Sequence, residues 1–212
     1  MPEIVLVHGL WTRAWALSVL KKRLEKRGFL IRRFNYATST RDPLESIEKL
    51  IGFCRETSSG SLHLVGHSLG GLMIMEMLRQ LSQSEQTPLP PGRVVLLGSP
   101  LGGSEVAGRL ANSTLGRLLL RNSESSLIDG VTAMAPDREC GMIAGNLPRG
   151  LGRLTGRFNG PNDGTVKVSE TYSDVLTDHL EIRVTHTSMV FQAEVARQLV
   201  FFINNGRFDR PH

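Results

Sequence analysis

Residues 62–81 read LHLVGHSLGGLMIMEMLRQL, and this stretch decides the fold. An apolar strand is predicted over residues 61–65, and a helix rich in Met and Leu is predicted over residues 69–81. A strand that turns sharply into a helix at Ser68 forces that serine into strained dihedral angles. Small residues are then needed two positions before and two after it, here Gly66 and Gly70. Such a turn holds the hydroxyl clear of the sheet at the strand's carboxyl end, so Ser68 is predicted to be a nucleophile.

Strand and helix patterns alternate on both sides of this turn. Because strands that alternate with helices form βαβ units, the fold class is predicted to be α/β, with about six mostly parallel strands flanked by helices. The predicted first helix carries Trp15, Val19, Leu20 and Leu24 on one apolar face. The predicted strands are 4–7, 29–36, 61–65, 94–97, 140–144 and 180–184, and the predicted helices are 13–27, 42–54, 69–81, 105–120 and 190–202.

Length and composition limit the number of domains and the class of protein. The 212 residues are predicted to form a single domain, 1–212, and 40% hydrophobic with 21% charged residues excludes a disordered or fibrous chain. Because no signal peptide or membrane span is recognisable, a cytoplasmic location is expected. The two cysteines, Cys54 and Cys140, are interpreted as buried reduced thiols. No Cys/His cluster has zinc spacing, so no metal is expected.

The positive charge is concentrated near the start of the chain. Residues 1–60 hold 11 Lys and Arg against 6 Asp and Glu, and the cluster is densest over residues 21–33. A solvated helix face is the favoured interpretation of this cluster. A membrane surface bound through Lys21, Lys22 and Arg23 is left open as an unsupported alternative, and no nucleic-acid partner is expected.

A serine nucleophile needs a base, and the base needs an orienting acid. The order serine, acid, histidine leaves three histidines after Ser68. His186 is favoured because it follows the last predicted strand at its carboxyl end, where catalytic groups gather in open α/β sheets. His179 precedes that strand and His212 is terminal. The favoured acid is Asp163, in the tight-turn sequence Asn-Asp-Gly, with Asp137 and Asp178 held in reserve.

The first strand supplies the remaining part of the predicted site. It ends at His8, Gly9 and Leu10, and Gly9 allows the backbone to come close to the serine. The amides of Leu10 and Leu69 are then predicted to bind a developing oxyanion. His8 is expected to hydrogen-bond within its own loop. His67 is predicted to point away from the nucleophile.

Three sequence motifs together resemble the α/β-hydrolase superfamily, and within it small bacterial lipases and esterases. Residues 5–10 (VLVHGL) resemble the oxyanion strand of that superfamily, and residues 65–71 (VGHSLGG) resemble its nucleophile elbow. Residues 97–104 (LGSPLGGS) are similar to a stretch of triacylglycerol lipases, with Leu101 in place of the usual histidine. The resemblance implies a minimal α/β-hydrolase fold that begins at the family's third strand. Secreted lipases of this type often carry a signal peptide, a disulfide and a calcium site, and none of these is expected from the present sequence.

The resemblance implies a serine hydrolase that cleaves carboxylic esters and needs no cofactor. Its substrate would be a small-molecule or lipid ester. An acyltransferase, thioesterase or amidase would use the same triad, and a non-catalytic binding protein could keep the same fold. No large cap is expected, and residues 103–137 are the candidate for a small lid. The sequence leaves the substrate and the oligomeric state open.

Overall fold

The protein is described by a computed structural model that covers residues 1–10, 14–36, 43–57, 59–103, 138–149 and 159–210. The strands are β1 (Glu3–Val7), β2 (Leu30–Phe34), β3 (Leu62–His67), β4 (Val94–Leu97), β5 (Cys140–Gly145) and β6 (Asp178–Ile182). The helices are α1 (Ser18–Glu25), α2 (Pro43–Arg55), α3 (Leu69–Ser82) and α4 (Ala193–Asn205). Short 3₁₀ turns lie at Ala14–Leu17, Val168–Thr171 and Ser188–Phe191.

The six strands form one sheet in the order β2-β1-β3-β4-β5-β6, and every pair is parallel. The predicted fold class is therefore confirmed, with all six strands of this sheet parallel. Since parallel strands present their carboxyl ends at the same edge, the segments after β1, β3, β4 and β6 meet there. The register shows this directly, because Val7 pairs with Gly66 and His67 pairs with Leu97.

The sheet is buried on both faces. Val5 and Val7 of β1 join a core with α2 and α3, whereas Ile4 and Leu6 join a second core with α1 and α4. All four side chains are fully buried, which explains why β1 is an unbroken apolar run. The sheet is therefore packed between two cores, and this packing positions the segments at its carboxyl edge.

The first helix differs from its prediction. Trp15 and Val19 are exposed, and the face that packs on the sheet consists of Leu17, Leu20 and Leu24. For Trp15 the reason is that it lies in a 3₁₀ turn before α1, where the 3.6-residue period does not apply. The last strand also differs, since it begins at Asp178 and so contains His179.

The basic cluster is largely held by neighbouring groups. Arg32 pairs with Glu3 and Glu56, and Lys21 pairs with Glu25. Arg33 donates hydrogen bonds to the carbonyl of Ala14 and to the Ser18 hydroxyl. These contacts favour a structural and solvated role for the cluster.

Three further predictions concern the cysteines, a membrane span and the candidate lid. Cys54 and Cys140 are buried free thiols, and burial raises the pKa of each to about 12. Among the helices of the described residues, none is long and apolar enough to cross a membrane. The predicted helix 105–120 and the candidate lid 103–137, apart from Gly103, lie outside the described residues.

Candidate active site

Ser68 lies in the turn between β3 and α3 with φ 54° and ψ −123°. Among the described residues it is the only non-glycine residue with positive φ. Such a conformation costs about 1–3 kcal/mol and persists only where the surroundings enforce it. Here the Ser68 amide donates to the carbonyl of Leu97 (2.9 Å), and the amide of Gly71 donates to the carbonyl of Ser68 (3.0 Å). The strain at a buried serine is the feature that the sequence predicted.

The two flanking glycines are required by close backbone contacts. A Cβ atom on Gly66 would lie 2.5 Å from Cα of Gly71, and a Cβ atom on Gly70 would lie 2.4 Å from the carbonyl oxygen of Val7. Both distances are far below van der Waals contact. The start of α3 is therefore pressed against the end of β1, where the Gly9 loop begins.

His186 and Asp163 form a short side-chain pair. Nδ1 of His186 lies 2.6 Å from Oδ2 of Asp163, and the amide of His186 donates to the carbonyl of Asp163 (2.9 Å). The Asp163 side chain is 1% exposed. Because a carboxylate oxygen accepts this bond, Nδ1 carries the proton and Nε2 is left as the basic nitrogen.

The turn around Asp163 aims its carboxylate. Oδ1 accepts hydrogen bonds from the amides of Thr165 (2.9 Å) and Val166 (2.7 Å), which leaves Oδ2 for His186. Asn162 closes the same turn, because its Oδ1 accepts the amide of Gly164 (3.0 Å). This arrangement is what the Asn-Asp-Gly sequence favoured.

The loop after β1 packs against the serine. A Cβ atom built on Gly9 would lie 3.0 Å from Cβ of Ser68, so a larger residue there would crowd the nucleophile. His8 is fully buried, its Nδ1 lies 3.0 Å from the carbonyl oxygen of Gly9, and burial lowers its pKa. His8 therefore bonds within its own loop, as expected.

Tyr36 is a supporting residue that sequence reasoning missed. Its hydroxyl donates to the carbonyl of His8 (2.9 Å), its amide donates to Nε2 of His8 (3.3 Å), and the two rings stack with centroids 4.5 Å apart. Burial raises the pKa of Tyr36, so the hydroxyl keeps its proton as a donor. The residue follows β2, and nothing in its local sequence connects it to the first loop.

The two predicted oxyanion donors lie on the segments just described. Leu10 follows Gly9, and Leu69 is the first residue of α3, where backbone amides have no partner within the helix. Within the described ranges, no group accepts a hydrogen bond from the amide of Leu10 or Leu69. Both amides are thus available to a ligand, and their role as an oxyanion hole stays a prediction.

The ring of His67 meets the His186 loop. Its Nε2 lies 3.0 Å from the carbonyl oxygen of His186, and the centroids of the two rings are 4.8 Å apart. The sequence did not predict this contact. Burial, and then the neighbouring His186, lower the pKa of His67 to about 3. His67 is therefore a neutral, buried part of this site.

The remaining candidates lie elsewhere or outside the described residues. His179 contacts the Thr171 hydroxyl (2.8 Å) and stacks on Tyr172, while Asp178 pairs with Arg210. The structure does not describe Asp137 or His212. In the described part of the chain, no group of three or more His, Cys, Asp or Glu side chains could hold a metal ion.

The serine and the histidine lie on adjoining segments, because the ring of His67, the residue before Ser68, contacts the carbonyl oxygen of His186. Across the described residues, no hydrogen bond joins the Ser68 hydroxyl to His186. Such bonds often form only when substrate binds.

A cavity of about 500 Å³ lies at the opposite edge of the sheet, lined by residues that include Arg55 and Pro90, and it is remote from this site.

Solved structures with a similar fold include three that cover nearly the whole chain. The mature lipase BlEst2 from Bacillus licheniformis is 19% identical with a TM-score of 0.69, over 97% of this chain and 91% of that chain. The lin2722 gene product from Listeria innocua is 16% identical with a TM-score of 0.63, over 99% of both chains. The NocB thioesterase domain of the nocardicin cluster is 16% identical with a TM-score of 0.61, over 96% and 94%.

At such identities the structural similarity shows the fold. No curated protein matches this chain in sequence. The family described as "Alpha/beta hydrolase family" matches residues 4–190, which is most of the chain. With its parallel sheet and its serine at a strained strand-to-helix turn, the chain belongs to the alpha/beta hydrolase family.

Proposed function

We propose that this protein hydrolyses carboxylic esters through Ser68, His186 and Asp163. Its family and its fold support a hydrolase. The observation that carries the finer proposal is the 2.6 Å contact between Nδ1 of His186 and Oδ2 of Asp163. A hydrogen bond from the ring of His67 joins the His186 loop to the turn at the strained Ser68. A buried carboxylate that fixes the tautomer of a histidine is the arrangement that activates a serine.

In the proposed acylation step, Oγ of Ser68 attacks the acyl carbon of the ester while its proton passes to Nε2 of His186. The carbonyl π electrons move to the oxygen and give a tetrahedral oxyanion. When this intermediate collapses, the bond to the alcohol oxygen breaks and His186 returns the proton to the leaving alcohol. Asp163 stays ionised throughout and stabilises the imidazolium that forms.

The amides of Leu10 and Leu69 are proposed to receive the oxyanion. Each such donor contributes about 3 kcal/mol of transition-state stabilisation in comparable sites. In deacylation, His186 removes a proton from water, and the resulting hydroxide attacks the acyl carbon to give a second tetrahedral intermediate. The bond between the acyl carbon and Oγ of Ser68 then breaks, and His186 returns the proton to Oγ. The products are a carboxylic acid and a regenerated enzyme, so the cycle needs no cofactor.

The test is substitution of the proposed nucleophile. The variant Ser68→Ala should lose hydrolysis of p-nitrophenyl acetate and butyrate by about 10⁴-fold or more, because no covalent intermediate can form. It should also lose labelling by a fluorophosphonate probe, which the wild type should show at Ser68.

The matched control is Ser82→Ala, which removes the serine at the last residue of α3, at the opposite end of that helix from Ser68. It should keep both activity and labelling. Retained ester hydrolysis in folded Ser68→Ala protein, judged by circular dichroism, would overturn the proposal. Wild-type protein that is folded yet neither labelled nor active would instead favour a non-catalytic binding protein.

A thioester substrate is the second candidate. The fold is similar to that of the NocB thioesterase domain, and the same acylation step releases a thiol in place of an alcohol. The ratio of kcat/KM for matched butyryl ester and butyryl thioester substrates distinguishes the two classes. Adding an alcohol or amine acceptor and measuring the transfer product tests an acyltransferase in the same assay.

A further inference from the structure

His67 contacts two separate loops of the candidate site and is itself the residue before Ser68. It is the last residue of β3, and its ring meets the His186 loop, where Nε2 lies 3.0 Å from the carbonyl oxygen of His186. On its other side, Nδ1 lies 3.1 Å from the position of a Cβ atom built on Gly9. The ring is therefore wedged between the His186 loop and the Gly9 loop.

The tautomer of His67 follows from these contacts. A carbonyl oxygen can only accept a hydrogen bond, so Nε2 must carry the proton. Burial, and then the nearby His186, lower the pKa of the ring to about 3, so Nδ1 is unprotonated at neutral pH. The result is a neutral ring with its one N–H donor directed at the backbone of His186.

The peptide units of His186 are held from two sides. Its amide donates to the carbonyl of Asp163 (2.9 Å), and its carbonyl accepts the N–H of His67. The first bond ties the loop to the acid, and the second ties it to the turn of the nucleophile. Since His67 and His186 are 119 residues apart in sequence, the second bond joins two distant segments.

We propose that His67 is a positioning residue, whose Nε2–H bond to the carbonyl of His186 holds the His186 imidazole in line between Asp163 and Ser68. This inference rests on the proposed function. A misplacement of about 1 Å in a catalytic group can reduce rate about 100-fold. Loss of the tether should therefore act on the chemical step more than on substrate binding.

The neutral state of His67 also favours proton transfer to His186. An imidazolium forms on His186 in each proton transfer, with the centroid of the His67 ring 4.8 Å from that of His186. A positive charge on His67 would repel that imidazolium. A neutral donor supplies the hydrogen bond without this cost.

The experiment compares His67→Gln with His67→Phe. Glutamine can place an N–H donor near the position of Nε2, whereas phenylalanine keeps the ring but has no donor. Relative to wild type, we expect His67→Phe to lower kcat by about 10- to 100-fold with little change in KM, and His67→Gln to restore most of that loss.

A readout without substrate separates this inference from the proposed function. In protein labelled with ¹⁵N-histidine, the Nδ1 proton of His186 should give a downfield NMR signal because it is held in a short bond to Asp163, and His186→Ala assigns it. The signal should weaken or move in His67→Phe and persist in His67→Gln. This comparison holds whether or not the protein cleaves esters.

The control is His63→Phe, because His63 is another buried histidine on β3 that lies near the opposite end of the strand. It should leave the His186 signal unchanged. Should His67→Phe not fold, His67→Leu provides the same loss of the donor. The inference fails if a donor-free variant keeps both kcat and the signal, or if His67→Gln loses them as fully as His67→Phe does.

Discussion

At the scale of single residues, Asp163 shows how a turn specifies the direction of a side chain. Its two carboxylate oxygens accept three hydrogen bonds, two from backbone amides of its own turn and one from His186. Because the two amides hold Oδ1, the same turn also fixes the direction of Oδ2 toward His186.

The variant Asp163→Asn tests the charge separately from the position. The asparagine oxygen can still accept the amides of Thr165 and Val166, so the turn should persist. The amide NH₂ then faces Nδ1 of His186 and favours the wrong tautomer. We expect kcat/KM for p-nitrophenyl butyrate to fall by about 10³- to 10⁴-fold, while the thermal midpoint changes little. A decrease in kcat/KM of less than tenfold, in folded protein, would contradict the role proposed for Asp163.

At the scale of elements, the contact between β5 and α4 depends on one missing side chain. A Cβ atom on Gly141 of β5 would lie 2.6 Å from the ring of Phe202 on α4. Phe202 is fully buried, so the ring has no free space into which to move. Glycine at this strand position is therefore a packing requirement, since it lets a large ring approach the sheet.

The variant Gly141→Ala should lower the free energy of unfolding by about 1–3 kcal/mol, because overpacking in a well-filled core forces backbone shifts. Urea titration followed by circular dichroism measures this loss. In the double variant Gly141→Ala with Phe202→Leu, the smaller side chain makes room, and the two losses should be less than additive. Strict additivity would show that the two sites do not interact as described.

At the scale of the whole molecule, buried neutral histidines make stability depend on pH. Burial, followed by the charges of Arg93 and Arg138, lowers the pKa of His63 to about 4. Burial and His186 lower that of His67 to about 3. Between about pH 6.5 and these values, an unfolded chain binds protons at both histidines while the folded chain does not. The free energy of unfolding must therefore fall as pH falls through this range.

The size of this effect is measurable. Each such histidine should reduce the free energy of unfolding by about 1–2 kcal/mol between pH 7.5 and pH 5.5. His63→Asn removes one of them, while the asparagine oxygen can still accept the amide of Arg93 that Nδ1 now accepts. Urea titrations at both pH values should show a smaller pH dependence in His63→Asn than in wild type. Equal dependence in the two proteins would contradict the low pKa of His63.

Much of the fold was predictable because its signals are local. The apolar runs of β1 and β4 and the sharp turn at Ser68 are visible in a few consecutive residues, and the structure confirms all of them. The predicted buried face of α1 was wrong in part. Trp15 was included in that face because the 3₁₀ turn that contains it has no distinct sequence pattern. The catalytic roles of Ser68, Asp163 and His186 stay predictions until the substitutions above are measured.

The sequence by itself determined a parallel α/β sheet and a serine at a strand-to-helix turn, because periodicity and glycine spacing act over short distances. Only the tertiary structure decided which distant groups meet at the carboxyl edge of the sheet. It placed Asp163 against His186, Tyr36 against His8, and the ring of His67 against the His186 loop. These contacts depend on the order of the strands and on the packing of the two cores. Neither the strand order nor the packing can be predicted from a local sequence pattern.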